Sequence, residues 1–218
     1  FKQEGTNFTD SLIVGHSTTG TLDAAQDNTG VGIDALDALT TGDNNTAVGS
    51  SAGSALAAGA GNTYIGSLAG ALANGNNNVA VGFQAFATDA GTNSYWNVAV
   101  GYNSLYDSGV SSVAAVGNTA LGKDAGYNNT SGDRNLFLGL DAGQNITTGS
   151  GNIIIGTADA AAADSARTCK IVSYDGSSTT NHFISDSSGN VTLSGDLTVS
   201  GDDITMGTNT SGAALIAD

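Results

Sequence analysis

Short apolar triplets punctuate this chain at near-regular intervals, each closed by glycine. Eight of them open on asparagine: Asn28, Asn45, Asn62, Asn78, Asn97, Asn118, Asn135 and Asn152. Each stands four residues ahead of its glycine: Gly32, Gly49, Gly66, Gly82, Gly101, Gly122, Gly139 and Gly156. Successive asparagines are 17, 17, 16, 19, 21, 17 and 17 residues apart. Seventeen residues before Asn28, Ser11-Leu12-Ile13-Val14-Gly15 forms a ninth, degenerate copy. Alanine often follows the glycine by three.

The residue before each glycine is aliphatic, as in Val31, Val48, Ile65 and Leu121, and two positions earlier sits a β-branched residue or Leu. Residues two apart share one face of a strand, so these two columns are expected to point inward as a pair. The residue between them faces the other way: Gly30, Ala47, Tyr64, Ala80, Ala99, Ala120, Phe137 and Ile154. A solvent-facing column is normally polar, and this one carries no charge. It is therefore expected to be buried too, against another layer or another chain.

A unit of this length is too short for a strand-helix-strand crossover. It fits one coil with two short strands and two turns, stacked so that neighbouring coils form parallel sheets. The predicted fold is all-β: a parallel β-roll or β-helix solenoid of about nine 17-residue coils over residues 11–160, roughly 40 Å tall at strand spacing. Stacking would set Asn above Asn, and such ladders of side-chain amides stabilise stacked strands. Helical periodicity is absent except at Ala158–Ala166, which reads as a short helix. Residues 1–10 are expected to be an N-terminal connector. Residues 161–218 read as a short helical connector and a β-shaft, with Val191, Leu193, Leu197, Val199 and Ile204 alternating with polar residues.

Composition sharpens this picture. Pro is absent, Gly occurs 32 times and charged residues make up 11% of 218 residues, against about 25% in ordinary globular domains. Recurrent Val, Ile and Leu argue against disorder, so the Gly, Asn, Ser and Thr mark turns between strands. The net charge of −15, with nineteen of the 20 acidic residues Asp, repels phosphate backbones and argues against nucleic-acid binding. No apolar run reaches the roughly 18 residues of a membrane span. One cysteine, Cys169, excludes an intrachain disulfide framework and a Cys-based zinc site. The chain opens Phe1-Lys2-Gln3-Glu4 without Met, as an internal fragment or a processed product would.

The units Asn45-Thr-Ala-Val-Gly49-Ser-Ser-Ala52, Asn78-Val-Ala-Val-Gly82-Phe-Gln-Ala85 and Asn118-Thr-Ala-Leu-Gly122-Lys-Asp-Ala125 resemble head repeats of trimeric autotransporter adhesins. They are also similar to Asn-Thr-Ala-Val-Gly repeats widespread in bacteriophage tail-fibre proteins. The resemblance covers about residues 11–160 and implies a homotrimer. The uncharged middle column, or a neighbouring one, would then pack around the threefold axis. Gly189-Asn-Val-Thr-Leu-Ser-Gly195-Asp-Leu-Thr-Val-Ser-Gly201 is similar to strands of phage fibre shafts and favours the phage branch. Both likenesses together imply a non-enzymatic fibre component of the virion, extracellular. Its partners would be two further copies, other tail or fibre proteins and a host surface glycan or protein receptor. A bacterial adhesin head and a polysaccharide-degrading tailspike are the alternatives.

The two lengthened repeats carry the candidate receptor contacts, Tyr95, Trp96, Tyr102 and Tyr106, since insertions in repeat proteins map to loops and often to a binding face. Aromatic faces beside Asn and Asp suit saccharides, and they equally suit packing between subunits. Asp34, Asp124 and Asp141 share one repeat position, so Asp124 and Asp141 are predicted neighbours. Such a pair is what glycoside hydrolysis would need, and a polar corner is the preferred reading. Gly30-Val31-Gly32-Ile33-Asp34-Ala35 matches a dinucleotide fingerprint that other copies lose. No cofactor and no metal is expected, and His16 and His182 lack a nucleophile setting.

Overall fold

Each of the eight units opening on Asn28, Asn45, Asn62, Asn78, Asn97, Asn118, Asn135 and Asn152 folds into the same piece: a three-residue strand running from the Asn into a glycine turn. In the computed structural model these strands are β4 (Thr29–Val31), β5 (Thr46–Val48), β6 (Thr63–Ile65), β7 (Val79–Val81), β8 (Val98–Val100), β9 (Thr119–Leu121), β10 (Leu136–Leu138) and β11 (Ile153–Ile155). They are preceded by β1 (Lys2–Gly5), β2 (Phe8–Val14) and β3 (Ala25–Gln26), and followed by β12 (Cys169–Tyr174), β13 (Thr179–Ser185) and β14 (Val191–Leu193). The structure describes residues 2–5, 8–15, 24–88, 94–109, 114–160 and 162–195. His16, Leu197, Val199 and Ile204 lie outside them, as do the insertions at 89–93 and 110–113.

The strands form one sheet in the order β1-β2-β4-β5-β6-β7-β8-β9-β10-β11-β12-β13-β14, with β3 beside β2. From β2 to β12 every neighbour on this path is parallel and in register, Thr46 on Thr63 and Val48 on Ile65 for example. The result is a parallel β-solenoid of about eight turns with ~17-residue spacing. An antiparallel neighbour closes each end, β1 against β2 and the β12–β13–β14 meander after the last coil. Both ends of the parallel stack therefore pair their backbone instead of leaving a template for unwanted strands.

From β4 to β11 each coil holds one strand among the described residues, not two; the described return path is a chain of turns. Glycine conformation explains the turn after each strand. Gly49 has φ 137°, and a Cβ there would sit 2.5 Å from the Gly66 carbonyl. Gly66 meets Gly82 in the same way at 2.4 Å, so neither the backbone angle nor the coil spacing admits a side chain.

The core corrects the expected facing of the strands. The middle column, Ile13, Ala47, Tyr64, Ala80, Ala99, Ala120, Phe137 and Ile154, is completely buried inside the chain's own coils. The two flanking columns, expected inside, face outward: Val31, Val48, Ile65, Leu121 and Leu138 are all exposed by a third or more. The opposite wall contributes alanines three residues after the glycine, Ala35, Ala52, Ala69, Ala85, Ala125 and Ala142. In five coils the residue one position further complements the middle column in size, while Gly53 and Gly126, in the coils of Ala47 and Ala120, leave room for the Tyr64 and Phe137 rings of the next coil. Leu36, Phe86 and Leu105 stand in the coils of Gly30, Ala80 and Ala99, whereas Gly70 and Gly143 stand in the coils of Tyr64 and Phe137. A Cβ on Gly70 would lie 2.7 Å from the Tyr64 ring, and one on Gly143 2.2 Å from Phe137. Large and small residues alternate so that the narrow interior is filled once.

The helix expected at Ala158–Ala166 does not form; the described residues there are turns of one further coil. Its carbonyls are taken by the preceding coil: Ala158 C=O accepts from Gly143 N–H at 2.7 Å and Ala163 C=O from Thr147 N–H at 2.8 Å. Inter-coil pairing overrides the helix propensity of alanine. β12 then joins the stack, placing Lys170 on Ile154. A charged residue thus ends the buried column. No helix among the described residues is long and apolar enough to cross a membrane.

Candidate functional site

The expected asparagine ladder is present and fully buried, from Asn28 to Asn152. In each step an Asn Oδ1 accepts the backbone N–H of the next coil's Asn, at 2.9 Å for Asn28 and Asn45 and 3.0 Å for Asn78 and Asn97. The Nδ2 group donates to the preceding Oδ1 and to a carbonyl across the coil, such as Gly59 C=O for Asn45 at 2.8 Å. Hydroxyl residues close the ladder at both ends. Ser11 Oγ accepts from Asn28 N–H at 2.7 Å, and Thr168 donates through Oγ1 to Asn152 Oδ1 at 2.7 Å. All the donors and acceptors of this internal row are satisfied by the chain itself, so its role is to hold the rod.

Outside, the flanking columns form a stripe from β2 to β12 in which no residue is charged. Thr29, Thr46, Thr63, Val79, Val98, Thr119, Leu136 and Ile153 run along one side; Val31, Val48, Ile65, Val81, Val100, Leu121, Leu138 and Ile155 run along the other. Ten strands at sheet spacing make it about 45 Å long and about 10 Å wide. That is the few-hundred-Å² scale of the largest apolar patches on ordinary monomers, with Thr29, Thr46, Thr63 and Thr119 interrupting one side. Ile33, Phe83, Tyr102 and Leu140, each one residue after a strand glycine, are also exposed.

The four aromatic candidates are not gathered on one spot. Trp96, 65% exposed, lies beside Tyr95 with ring centroids 6.1 Å apart, just before β8. Tyr102 lies after β8 and stacks on Phe83 at 5.4 Å, with the Lys123 ammonium 5.9 Å from its ring on the other side. Tyr106 stacks on Tyr127 at 5.0 Å, nearly parallel. Phe83 and Tyr127 were not foreseen. Their signal was position, since each occupies the same place in its repeat as the ring it stacks on. Burial, and then Asp107, raise the Tyr127 phenol above its ordinary value.

Asp124 and Asp141 occupy adjacent coils as expected. Asp124 is nearly buried; Lys123 Nζ pairs with its Oδ2, while Oδ1 has no donor among the described residues. The Lys123 ammonium is held above its usual range chiefly by that hydrogen bond. Asp34 stands in a distant coil. His182 Nε2 is 2.8 Å from Ser173 Oγ on the exposed β12–β13 ribbon. Cys169 is a half-buried free thiol in the outward column. Gly30 to Ala35 form β4 and the following turn of a coil, with no helix to receive a phosphate. Among the described residues no three His, Cys, Asp or Glu side chains converge as metal ligands. No family model matches the chain, and no curated protein or solved structure matches it.

Proposed function

We propose that the chain is a structural, non-enzymatic segment of a homotrimeric extracellular fibre, of the kind with which a bacteriophage attaches to its host. The observation that carries this reading is the uncharged outward stripe on a rod that is already packed inside. A core supplied by the chain's own coils leaves the stripe with no intrachain task among the described residues. Three copies wrapped about one axis would cover it, in agreement with the resemblance of the repeats to trimeric fibre proteins. The flanking columns, not the middle one, would then face the axis.

The rod supports such a role through stiffness, because each coil is fixed to its neighbours by backbone pairing and by the Asn ladder. Exposed Trp96, and the Phe83–Tyr102 stack bordered by Lys123, offer ring faces to a host glycan or protein receptor. The test is the mass of the chain in native buffer. A trimer is expected, with dissociation on Val48→Asp or Leu121→Asp; a folded monomer refutes the reading. Binding to host cells by a folded trimer is expected to fall with Trp96→Ala and Tyr102→Ala.

A further inference from the structure

Where the last coils meet the β12–β13 hairpin, a cleft of about 420 Å³ opens on the surface. One wall is the corner that carries Asp141 and Gln144, and the next coil adds Asp159. The facing wall is the hairpin, with Lys170 from β12 and Thr179 and Asn181 from β13. The hairpin register slips between Ile171 and Val172, which sets Val172 opposite Asn181. Such a bulge redirects side chains. The walls are fixed by groups that do not need the cleft. Lys170 Nζ donates to Asp159 C=O at 3.0 Å, and Asp159 Oδ1 accepts Asn145 N–H at 2.8 Å. Asn181 Oδ1 is different: it is buried and has no hydrogen-bond donor among the described residues. Leaving such an acceptor unmet is destabilising.

We infer that this cleft binds a single hydroxyl-rich sugar unit. Its size falls in the range of small-ligand sites, about 300–1,000 Å³. The lining mixes planar acceptors, amide donors, the hydroxyls of Thr157 and Thr179 and one ammonium, which matches a ring whose neighbouring hydroxyls each donate and accept. Anions are disfavoured by Asp141 and Asp159 on a chain of net charge −15. A divalent cation would meet the Lys170 ammonium, and no three His, Cys, Asp or Glu side chains converge among the described residues. An apolar ligand would strand every polar group in the lining. No aromatic wall is present, so binding rests on hydrogen bonds and belongs in the millimolar range. The site stands apart from the fibre reading, since it uses one chain and none of the aromatic candidates.

The test is saturation-transfer NMR on the full chain with free D-glucose, D-galactose, L-rhamnose and N-acetyl-D-glucosamine, each at ~50 mM, enough to fill a millimolar site. At least one sugar is expected to receive transfer. The double variant Thr179→Val, Asn181→Ala should weaken it at least about tenfold, the loss of one to two hydrogen bonds. Trp96→Ala should leave it unchanged. Gln144→Ala, on the coil corner, is expected to weaken binding too and keeps the test decisive if the hairpin variant unfolds. Absence of transfer for all four sugars overturns the inference. So does transfer that survives the cleft variants, or that disappears with Trp96→Ala.

Discussion

Asn62 Nδ2 lies 3.0 Å from Asn45 Oδ1, and the Asn62 backbone N–H reaches the same oxygen at 3.0 Å. One amide oxygen therefore ties both the backbone and the side chain of the next coil, while the remaining Nδ2 hydrogen crosses to Gly75 C=O at 2.9 Å. A carboxamide is the one short side chain that accepts twice and donates twice. The repeat needs both abilities, because each Asn receives from one neighbour and gives to the other.

Asn62→Asp tests that requirement with almost no change of shape. A carboxylate has no donor, so it faces Asn45 Oδ1 and Gly75 C=O as a buried, unpaired charge. The loss is expected to be about 3 kcal/mol or more in urea unfolding. Asn44→Asp, at the exposed position just before Asn45 in the preceding coil, should change stability by less than ~0.5 kcal/mol. Equal effects at the two sites would show that the ladder contributes nothing.

Core volume can be moved between the two walls. Gly70→Ala sets a methyl 2.7 Å from the Tyr64 ring and should cost about 1–3 kcal/mol. Tyr64→Ala empties the coil and should cost about 3–5 kcal/mol. Joined as Tyr64→Ala with Gly70→Leu, the coil copies the pairing of Ala99 with Leu105. Much of the loss should return, read as a coupling energy in a double-mutant cycle. Simple additivity would refute size complementarity between these walls.

The period, the ladder and the all-β class were legible because polar Asn and Gly recur where a mixed apolar pattern would not force them. Facing was not. In a three-residue strand the alternation leaves two possible inward sets, one residue apart, and the bulkier aliphatics of the flanks suggested the wrong one. Gly30 and Ala47 look too small for a core until Leu36 and Tyr64 are seen to fill it from neighbouring positions. The alanines after 158 carry helix propensity, yet their carbonyls are claimed by the coil before. The tenth strand hid because Thr168 replaces Asn and Val172 replaces Gly. The junction cleft has no sequence signal, since a hairpin and a coil corner distant in sequence build it.

Ala47 and Val48 are neighbours with opposite surroundings, one fully buried and the other 38% exposed. Ala47→Asp should abolish folding, seen as loss of the β-sheet circular dichroism signal. Val48→Asp should leave that signal intact and lower the mass of the assembly. Folding that survives Ala47→Asp would return the middle column to an intermolecular role.

Acid should spare the β12–β13 turn longer than an ordinary carboxylate would allow. Asp175 Oδ1 accepts Ser178 and Ser177 N–H groups, each at 2.8 Å, and these bonds lower its pKa to about 2. A depressed folded pKa contributes stability that is present above the unfolded value, about 3.9, and lost as pH falls towards 2. The Asp175 carboxyl shift should therefore titrate near pH 2. A midpoint near 4 would mean that the turn is not formed in solution.

Trp96 stands where the chain asks for something else. Its φ is 60°, and the corresponding residues Asp27, Asn44, Gly61, Asn77, Gly117, Arg134, Gly151 and Arg167 share that left-handed conformation. Such a backbone costs a residue with a Cβ about 1–2 kcal/mol, and Trp96 regains little by packing, being 65% exposed. Trp96→Gly should accordingly stabilise the fold by about 1 kcal/mol in urea unfolding while host-cell binding falls. The opposite signs separate a residue kept for contact from one kept for structure. Loss of stability together with unchanged binding would assign Trp96 to packing and remove it from the receptor surface.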